Sequence, residues 1–275
     1  MPELPETETI ARDLDRELKG RRVVDVVVRR PDVLRLVTAA GLASRVRGAT
    51  IARAWRRAKM VVLDLGAVDH IVVQPRFTGA LLLSRGPLPH EEAPYSTLHL
   101  TLDDGRDLHY RDIRRLGTVS VMSTGEFAAY SDALGIEPLD PAFTTAHLSV
   151  IVRASRQAVK KVLMDQRVVV GIGNIYANEA CWRAGVDPSR EARSLGDDEV
   201  AALHDGIVSV LTDSIAARGT SFRDYRDAMG GRGDFERSLA AYGRGGEPCL
   251  RCGARLIETH AIDGRTTVLC ARCQG

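Results

Sequence analysis

The chain has 275 residues, of which 44% are hydrophobic and 27% are charged, and its formal net charge is +2. This length suffices for two domains, and no apolar run approaches the ~18 residues that a membrane span requires. The first residues lack the basic segment and apolar core of a signal peptide, so we expect a cytoplasmic protein without membrane contact. The charge is uneven, because residues 1–59 carry +6, residues 218–275 carry +3 and the segment between them carries −7. Basic ends favour a polyanionic partner such as nucleic acid, although an unevenly charged surface alone gives the same pattern.

The first half of the chain predicts one helix followed by short β-strands. Residues 5–20 place Ile10, Leu14 and Leu18 on one face, as an amphipathic helix does. Residues 98–111 alternate in hydrophobicity around Asp104-Gly105 and predict a hairpin. Six more segments are short, rich in Val, Ile and Leu, and separated by turn residues: 23–30, 51–55, 60–65, 70–74, 80–84 and 116–122. Strands without intervening helices indicate a β-sandwich or a β-barrel.

The hydrophobic period becomes helical after a Pro/Gly-containing hinge at residues 135–144. Three helices are predicted, at residues 145–165, 174–185 and 195–219. Residues 220–245 are irregular and rich in Gly, Arg and Asp. A compact domain seldom carries so long an irregular stretch without a use for it, so we expect this segment to be functional.

Four cysteines near the C-terminal end predict a structural zinc site. Two CxxC pairs, Cys249/Cys252 and Cys270/Cys273, have the spacing of a four-thiolate site, and four protein ligands leave no open position for catalysis. Disulfides are the weaker reading in a cytosolic chain, and Cys181, in a helical pattern, is interpreted as a core residue. The predicted fold is α+β with four parts: an N-terminal β-sandwich with a leading helix (1–134), a hinge (135–144), a helical domain (145–245) and a zinc finger (246–275).

Two further motifs favour phosphate binding. Gly171-Ile172-Gly173 precedes Asn174 at a predicted helix start, where backbone N–H groups can hold a phosphate. A dinucleotide fingerprint is excluded, because Tyr176 stands where it needs a small residue. Arg265 lies at a predicted hairpin tip between the cysteine pairs, where a guanidinium can reach a phosphate. A simple helix–helix turn and a solvated arginine remain the alternatives.

The opening sequence MPELPE suggests a terminal nucleophile. Met1 is normally removed before a residue as small as Pro2, which leaves a secondary amine. Such an amine attacks a sugar C1′ and forms an iminium ion. Glu3 is placed to shuttle protons, and Glu6, one helical turn further, to orient the pair. The alternative is that these residues only begin a helix.

Several motifs occur together in one order: MPELPE, RRAKMVVLDL, DIRRLG, LMDQRVVVGIGNIYANEA, AAYGRGGEPC and the paired CxxC. This combination, which spans Met1 to Gln274, resembles the bacterial formamidopyrimidine-DNA glycosylases, within the wider family that includes endonuclease VIII. The resemblance implies a monomeric base-excision-repair enzyme that binds damaged double-stranded DNA, associates with the nucleoid and needs one structural Zn²⁺. It also implies a helix-two-turn-helix element and a loop at 220–240 that closes over the flipped base.

The resemblance further implies the role of individual residues. Pro2 attacks C1′, Glu3 protonates the sugar ring oxygen, Glu6 assists, and β- and δ-elimination follow. Lys59 belongs to the catalytic group and also holds the DNA backbone. The other residues at matching DNA-binding positions are Phe77, Arg114, Arg115, Lys160, Asn174, Tyr242, Arg244 and Arg265.

Three segments depart from the family pattern, and in the finger Val268-Leu269 replaces the usual aromatic pair before the third cysteine. Residues 74–79 read QPRFTG instead of HLGMSG, so that Phe77 stands where a methionine normally fills the gap left by the base. In the segment 112–117, Leu116 replaces a phenylalanine. These departures leave two alternatives open: an endonuclease VIII-like enzyme for oxidised pyrimidines, and a catalytically silent, zinc-dependent protein that senses lesions or abasic sites.

Overall fold

The computed structural model describes residues 2–66, 68–221 and 224–275. The chain divides into two compact units, each of which is assembled from two segments. The first unit comprises Met1–Asp132 and Ala217–Glu236, and the second comprises Ala133–Ala216 and Arg237–Gly275. In the described part of the chain, no helix combines the length and the hydropathy that crossing a membrane requires.

The first unit consists of two four-stranded antiparallel sheets and a leading helix, α1 (Leu4–Leu18). Two short helices that the sequence did not predict, α2 (Ala39–Val46) and α3 (Thr124–Asp132), complete it. The strands are β1 (Val23–Val28), β2 (Ile51–Arg57), β3 (Met60–Leu65), β4 (Asp69–Gln74), β5 (Gly79–Arg85), β6 (Ser96–Leu102), β7 (Arg106–Asp112) and β8 (Thr118–Ser123). Their order is β1-β6-β7-β5 in one sheet and β2-β3-β4-β8 in the other.

Apolar side chains from both sheets and from α1 form one core. Ile10, Leu14 and Leu18 of α1 are fully buried, as their spacing predicts. Leu63 and Leu100 represent the two sheets in the same cluster. The predicted β-sandwich with a leading helix is therefore confirmed, and the predicted hairpin forms between β6 and β7.

The second unit contains four helices and one small hairpin. They are α4 (Thr145–Arg153), α5 (Val159–Met164), α6 (Asn174–Ala184) and α7 (Asp197–Ala216), with β9 (Ile257–Thr259) antiparallel to β10 (Thr267–Leu269). The prediction of one helix over 145–165 is wrong. The chain leaves the helix after Arg153, because the backbone around Ser155 and Gln157 bonds to residues 192–193 instead.

Residues 217–236 belong to the first unit, although the sequence placed them in the helical domain. The reason is a set of contacts with α1. The Thr220 backbone N–H donates to Glu6, and the Arg218 guanidinium donates to Asp13. The segment also bonds to β5, through Leu83 N–H and the Ala228 carbonyl.

Buried His109, which faces the half-buried His99, is expected to make the stability of the sandwich sensitive to acid. His109 on β7 lies opposite His99 on β6, with ring centroids 5.1 Å apart, and its Nδ1 is 3.0 Å from Ser96 Oγ. Burial, and secondly the charge of His99, lower the pKa of His109 to about 4. An unfolded histidine titrates near 6.5, so stability that is present above that pH is lost as the pH falls towards about 4.

We expect the free energy of unfolding to fall by roughly 2 kcal/mol between pH 7 and pH 4 through His109 alone. Urea unfolding at pH 7, 5 and 4 measures it. His109→Asn should flatten this dependence, because an amide takes up no proton, whereas the exposed His90→Gln should leave it unchanged. Equal pH dependence in the wild type and His109→Asn would contradict the assignment.

Candidate active site and metal centre

Two buried carboxylates lie at the start of α1. Glu3 is the N-cap residue, and it forms a reciprocal capping box with Glu6. The Glu3 backbone N–H donates to Glu6 Oε2 at 2.7 Å, and the Thr220 N–H donates to Glu6 Oε1 at 2.8 Å. Pro2 is also buried, directly before Glu3. Glu6 therefore fixes the backbone beside Pro2. The predicted removal of Met1 concerns a residue outside the described part of the chain.

The pair lies at the N-terminal end of α1, beside the buried Tyr225. The positive end of the α1 dipole favours carboxylates in the first turn. The Tyr225 hydroxyl donates to the Arg218 carbonyl at 3.1 Å. Burial, and secondly the charge of Glu6, raise the pKa of Tyr225 well above its usual range. Its phenol therefore stays protonated beside the carboxylate.

Lys59 lies in the turn between β2 and β3 and is 9% exposed. The preceding Arg56 connects this turn to α1, because its guanidinium donates to Glu8 at 2.8 Å and to the Ala58 carbonyl at 3.0 Å. Ala58 has a φ of +53°, which is uncommon for a residue other than glycine. The turn is thus held against the helix that carries Glu3 and Glu6.

Phe77 and Arg114 lie together on two neighbouring loops. The Arg114 guanidinium is 5.2 Å from the centroid of the half-exposed Phe77 ring, within cation–π range. Buried Asp112 holds both loops, since its carboxylate accepts from the Thr78 hydroxyl at 2.5 Å and from the Gly117 N–H at 2.9 Å. The sequence motif included Asp112 but gave no role to it.

The same loop region carries two further predicted or altered residues. Arg115 is exposed and pairs with Asp32 at 2.9 Å. Leu116, at the position that departs from the family pattern, has its side chain partly exposed to solvent. The exposed surface of these loops therefore combines arginines with apolar side chains.

Lys160 is fully buried, and its ammonium is bonded within the chain. Its ammonium donates to the Thr266 carbonyl at 2.7 Å and to Thr267 Oγ1 at 2.8 Å. Asn178 supports the same strand, because its Oδ1 accepts from the Val268 N–H at 2.8 Å. In this structure Lys160 holds the part of the hairpin that directly follows the tip residue Arg265.

The glycine turn before α6 is closed by one glutamine. Gln166 accepts from the Gly171 N–H at 2.8 Å and donates to the Ile172 carbonyl at 2.9 Å. Asn174 then begins α6, with Gly173 as its N-cap. The Asn174 Oδ1 atom is buried and has no hydrogen-bond partner within the described residues. This polar atom at a helix N-terminus is available to a ligand.

A buried glutamate that sequence reasoning missed organises the segment before the finger. The Glu179 carboxylate accepts from three consecutive backbone N–H groups, those of Ala240, Ala241 and Tyr242, at 2.8–2.9 Å. Burial raises the pKa of Glu179, and these N–H groups oppose that rise. Arg244 is engaged internally too, with Glu247 and two backbone carbonyls. The only sequence signal was an acidic residue within an apolar helix segment.

The four cysteine sulfurs converge as a zinc site requires. Their Sγ atoms all lie within 4.8 Å of one another, and those of Cys252 and Cys270 are 3.5 Å apart. A tetrahedral Zn²⁺ with bonds of about 2.3 Å separates its sulfurs by about 3.8 Å, so the four thiolates fit the ion. They form the structural zinc centre of the finger. Cys181 is apart from it, and burial raises the pKa of that thiol to about 12.

Arg265 is exposed in the loop between β9 and β10, where its guanidinium has no hydrogen-bond or ion-pair partner among the described residues. The loop turns through Asp263 and Gly264, with φ of +51° and +64°. The zinc centre and the Lys160 contacts therefore present this guanidinium to solvent at a defined place.

Three family models together match most of the chain. The formamidopyrimidine-DNA glycosylase N-terminal domain matches residues 1–119, and the formamidopyrimidine-DNA glycosylase H2TH domain matches residues 134–226. A zinc finger found in FPG and IleRS matches residues 246–275.

Individual proteins match over the full length. The formamidopyrimidine-DNA glycosylase of Desulfitobacterium hafniense (strain DSM 10664 / DCB-2) is 39% identical and covers 100% of both chains. The Lactococcus lactis Fpg in complex with DNA containing N7-benzyl-Fapy-dG is 30% identical, with a TM-score of 0.91 and 99% of both chains covered. A complex of the same enzyme with DNA containing an oxidised pyrimidine gives the same values.

Proposed function

The chain belongs to the formamidopyrimidine-DNA glycosylase family, and we propose that it removes oxidised purines, formamidopyrimidine and 8-oxoguanine, from damaged double-stranded DNA. It then cuts the strand at the abasic site, as a base-excision-repair glycosylase with lyase activity. The observation that carries this proposal is the buried pair Glu3 and Glu6, held beside Pro2 at the positive end of α1. It acts as a monomer and associates with the nucleoid when bound to DNA.

The proposed chemistry begins once Met1 has been removed. The secondary amine of Pro2 attacks C1′ of the flipped nucleotide, the C1′–N bond to the base breaks, and the base leaves with a proton. Glu3 protonates the ring oxygen, so the sugar opens as the Pro2 nitrogen forms an iminium ion with C1′. Glu6 acts through the backbone, because its carboxylate fixes the Glu3 N–H at 2.7 Å.

Strand cleavage follows from the iminium ion as an electron sink. Loss of a proton from C2′ sends its electron pair towards the iminium carbon, and the 3′ phosphate leaves in β-elimination. A second elimination releases the 5′ phosphate. Lys59 lies on a turn that Arg56 holds against α1, which supports its place beside the reacting sugar.

The DNA contacts fall into two classes. Phe77, Arg114, Arg115 and Arg265 reach the surface, and Asn174 offers a buried polar atom without a partner. With Tyr242, which Glu179 holds through its backbone, these residues are proposed to bind the DNA. Lys160 and Arg244 are proposed as positioning residues, since both bind other parts of the chain. The Zn²⁺ supplies a structural crosslink and takes no part in the reaction.

A specificity for oxidised pyrimidines is the second candidate. It is favoured by the Lactococcus lactis Fpg complex with an oxidised-pyrimidine DNA and by the altered residues Phe77 and Leu116. A catalytically silent sensor is disfavoured, because binding alone does not require a buried Glu3 and Glu6 beside Pro2.

Borohydride trapping tests all three candidates. The protein, shown by mass spectrometry to begin at Pro2, is incubated with duplexes that carry 8-oxoguanine, an oxidised pyrimidine or an abasic site. Reduction of an iminium ion leaves a covalent protein–DNA adduct. We expect adducts on the abasic and 8-oxoguanine duplexes, and the best damaged-base substrate defines the specificity. Absence of an adduct on every duplex would refute the lyase proposal.

Arg265→Ala is expected to weaken DNA binding similarly on all sequences and to reduce the salt slope of log K by about 1, because one phosphate contact is lost. Fluorescence anisotropy measures this slope between about 50 and 200 mM salt, a range over which counterion release changes DNA affinity strongly. Arg272→Ala is the control, since Arg272 is an exposed arginine of the same finger. An unchanged slope in Arg265→Ala would show that Arg265 does not contact phosphate.

A further inference from the structure

Arg218 bridges two buried aspartates in the segment that meets α1. Its guanidinium donates to Asp13 at 2.5 Å and to Asp227 at 2.5 Å, with a second bond to Asp227 at 3.2 Å. Asp13 and Asp227 are only 1% and 4% exposed. None of these three residues belongs to the predicted catalytic or DNA-binding set.

The contact between Arg218 and Asp13 lies next to the contact between Thr220 and Glu6. Asp13 lies two helical turns beyond Glu6 on the same face of α1, and Thr220 lies two residues beyond Arg218. The pairs Asp13–Arg218 and Glu6–Thr220 therefore attach one short segment to one helix face at two points. Gly219 fits between them because a Cβ there would approach Glu6 Oε1 to 2.9 Å.

The backbone at position 218 favours glycine, not arginine. Arg218 has a φ of +62°, in the left-handed region that is unfavourable for a residue with a side chain. A buried ion pair is in general weak evidence for stability. The side chain at this strained position connects α1 to the base of the 217–236 segment, which points to a positional role.

We propose that Arg218 is a positioning residue for the reaction. It holds Thr220 so that the Thr220 N–H binds Glu6, and Glu6 in turn fixes the Glu3 N–H beside Pro2. This inference rests on the proposed glycosylase function and deepens it. Arg218 contacts neither the sugar nor the base, and it acts through Asp13, Asp227 and the backbone of Thr220.

Arg218→Gly removes the positioning side chain without straining the fold, because glycine accepts the positive φ. We expect the single-turnover rate constant for base removal at saturating DNA to fall about 10-fold, the scale of a modest misplacement of catalytic groups. Affinity for an abasic duplex should change by less than about 2-fold, since the DNA-binding residues are untouched. Arg218→Lys should recover part of the rate.

Arg16→Ala is the matched control. Arg16 also pairs with Asp13, at 3.0 Å, but it is exposed and, within the described residues, has no hydrogen bond or ion pair to residues 217–221. It should keep the wild-type rate. Thermal unfolding of each variant shows whether the fold is kept. In the double variant Asp13→Asn/Arg218→Gly, the loss should be smaller than the product of the two single losses, as for residues that act together.

The outcomes separate the two levels of the proposal. An active wild type with Arg218→Gly as fast as Arg16→Ala would overturn the role of Arg218 and leave the glycosylase function standing. Parallel losses of rate, DNA affinity and thermal stability in Arg218→Gly would also overturn it in favour of a purely structural ion pair. A wild type that neither removes bases nor forms an adduct would overturn both.

Discussion

Glu3→Gln is expected to slow base removal about 10²–10⁴-fold, the usual contribution of general acid–base catalysis. An amide cannot donate a proton to the sugar ring oxygen. The sugar ring therefore does not open when the base leaves C1′. Glutamine has the same length and still offers an oxygen at the N-cap, so the start of α1 should be kept. The capping box with Glu6 would weaken without disappearing.

A ready-made abasic site bypasses the step that the substitution removes. Its sugar already opens to an aldehyde in solution, and Pro2 can condense with it directly. We therefore expect Glu3→Gln to cleave an abasic duplex within about an order of magnitude of the wild-type rate, because the loss is confined to one proton transfer. The ratio of the two losses is the informative quantity.

Single-turnover assays on an 8-oxoguanine duplex and on an abasic duplex give that ratio. Glu17→Gln is the control, because Glu17 lies in the last turn of the same helix and pairs with Arg106 at 2.8 Å. It should match the wild type on both duplexes. Equal losses on both duplexes in Glu3→Gln would contradict the proton-shuttle assignment, since a general disturbance of the site affects both reactions alike.

The parts of the fold that follow from local pattern were predictable from the sequence. The strands of the sandwich are rich in apolar residues because both sheets contribute to one core. The spacing of Ile10, Leu14 and Leu18 likewise identifies the face of α1 that is buried in this core. The zinc centre was equally accessible, since two CxxC turns define four ligands without knowledge of the rest of the chain. The structure brings their sulfurs within 4.8 Å.

Contacts between distant segments were not predictable. Residues 154–158 contain neither glycine nor proline, so nothing local announces that the helix begun at Thr145 ends at Arg153. A lysine is normally exposed, and the burial of Lys160 depends on Thr266 and Thr267, about a hundred residues away. Glu179 is similar, because its three partners lie in another segment. Side-chain type alone therefore does not reveal the long-range polar contacts that use the same side chain internally.

Removal of zinc is expected to unfold the finger and abolish DNA binding. Strands β9 and β10 have three residues each, and a two-stranded hairpin of that size is not stable alone. Its core is a small cluster that includes two of the ligands, Cys249 and Cys270. Structural zinc supplies on the order of 10 kcal/mol of folding free energy in such modules, far more than this cluster can replace.

The consequences should extend to the helices that bind the hairpin. Lys160 would lose Thr266 and Thr267, and Asn178 would lose the Val268 N–H, so that buried polar groups are left without their partners. An unpaired buried group costs about 1–3 kcal/mol, and more when it is charged. Arg265 would no longer be presented by a folded loop. We therefore expect DNA binding and excision to be lost, while the sandwich of the first unit still unfolds cooperatively.

Cys270→Ser and treatment with a chelator test this expectation together. Metal analysis should give one zinc per wild-type chain and little in Cys270→Ser, and hydrogen exchange should show loss of protection in residues 246–275. Cys181→Ser is the matched control, because that buried cysteine is not part of the four-sulfur cluster and should retain both the metal and DNA binding. Adding Zn²⁺ after the chelator should restore affinity in the wild type only. Full DNA affinity in zinc-free Cys270→Ser, with protection lost in residues 246–275, would show that the finger does not contribute to binding.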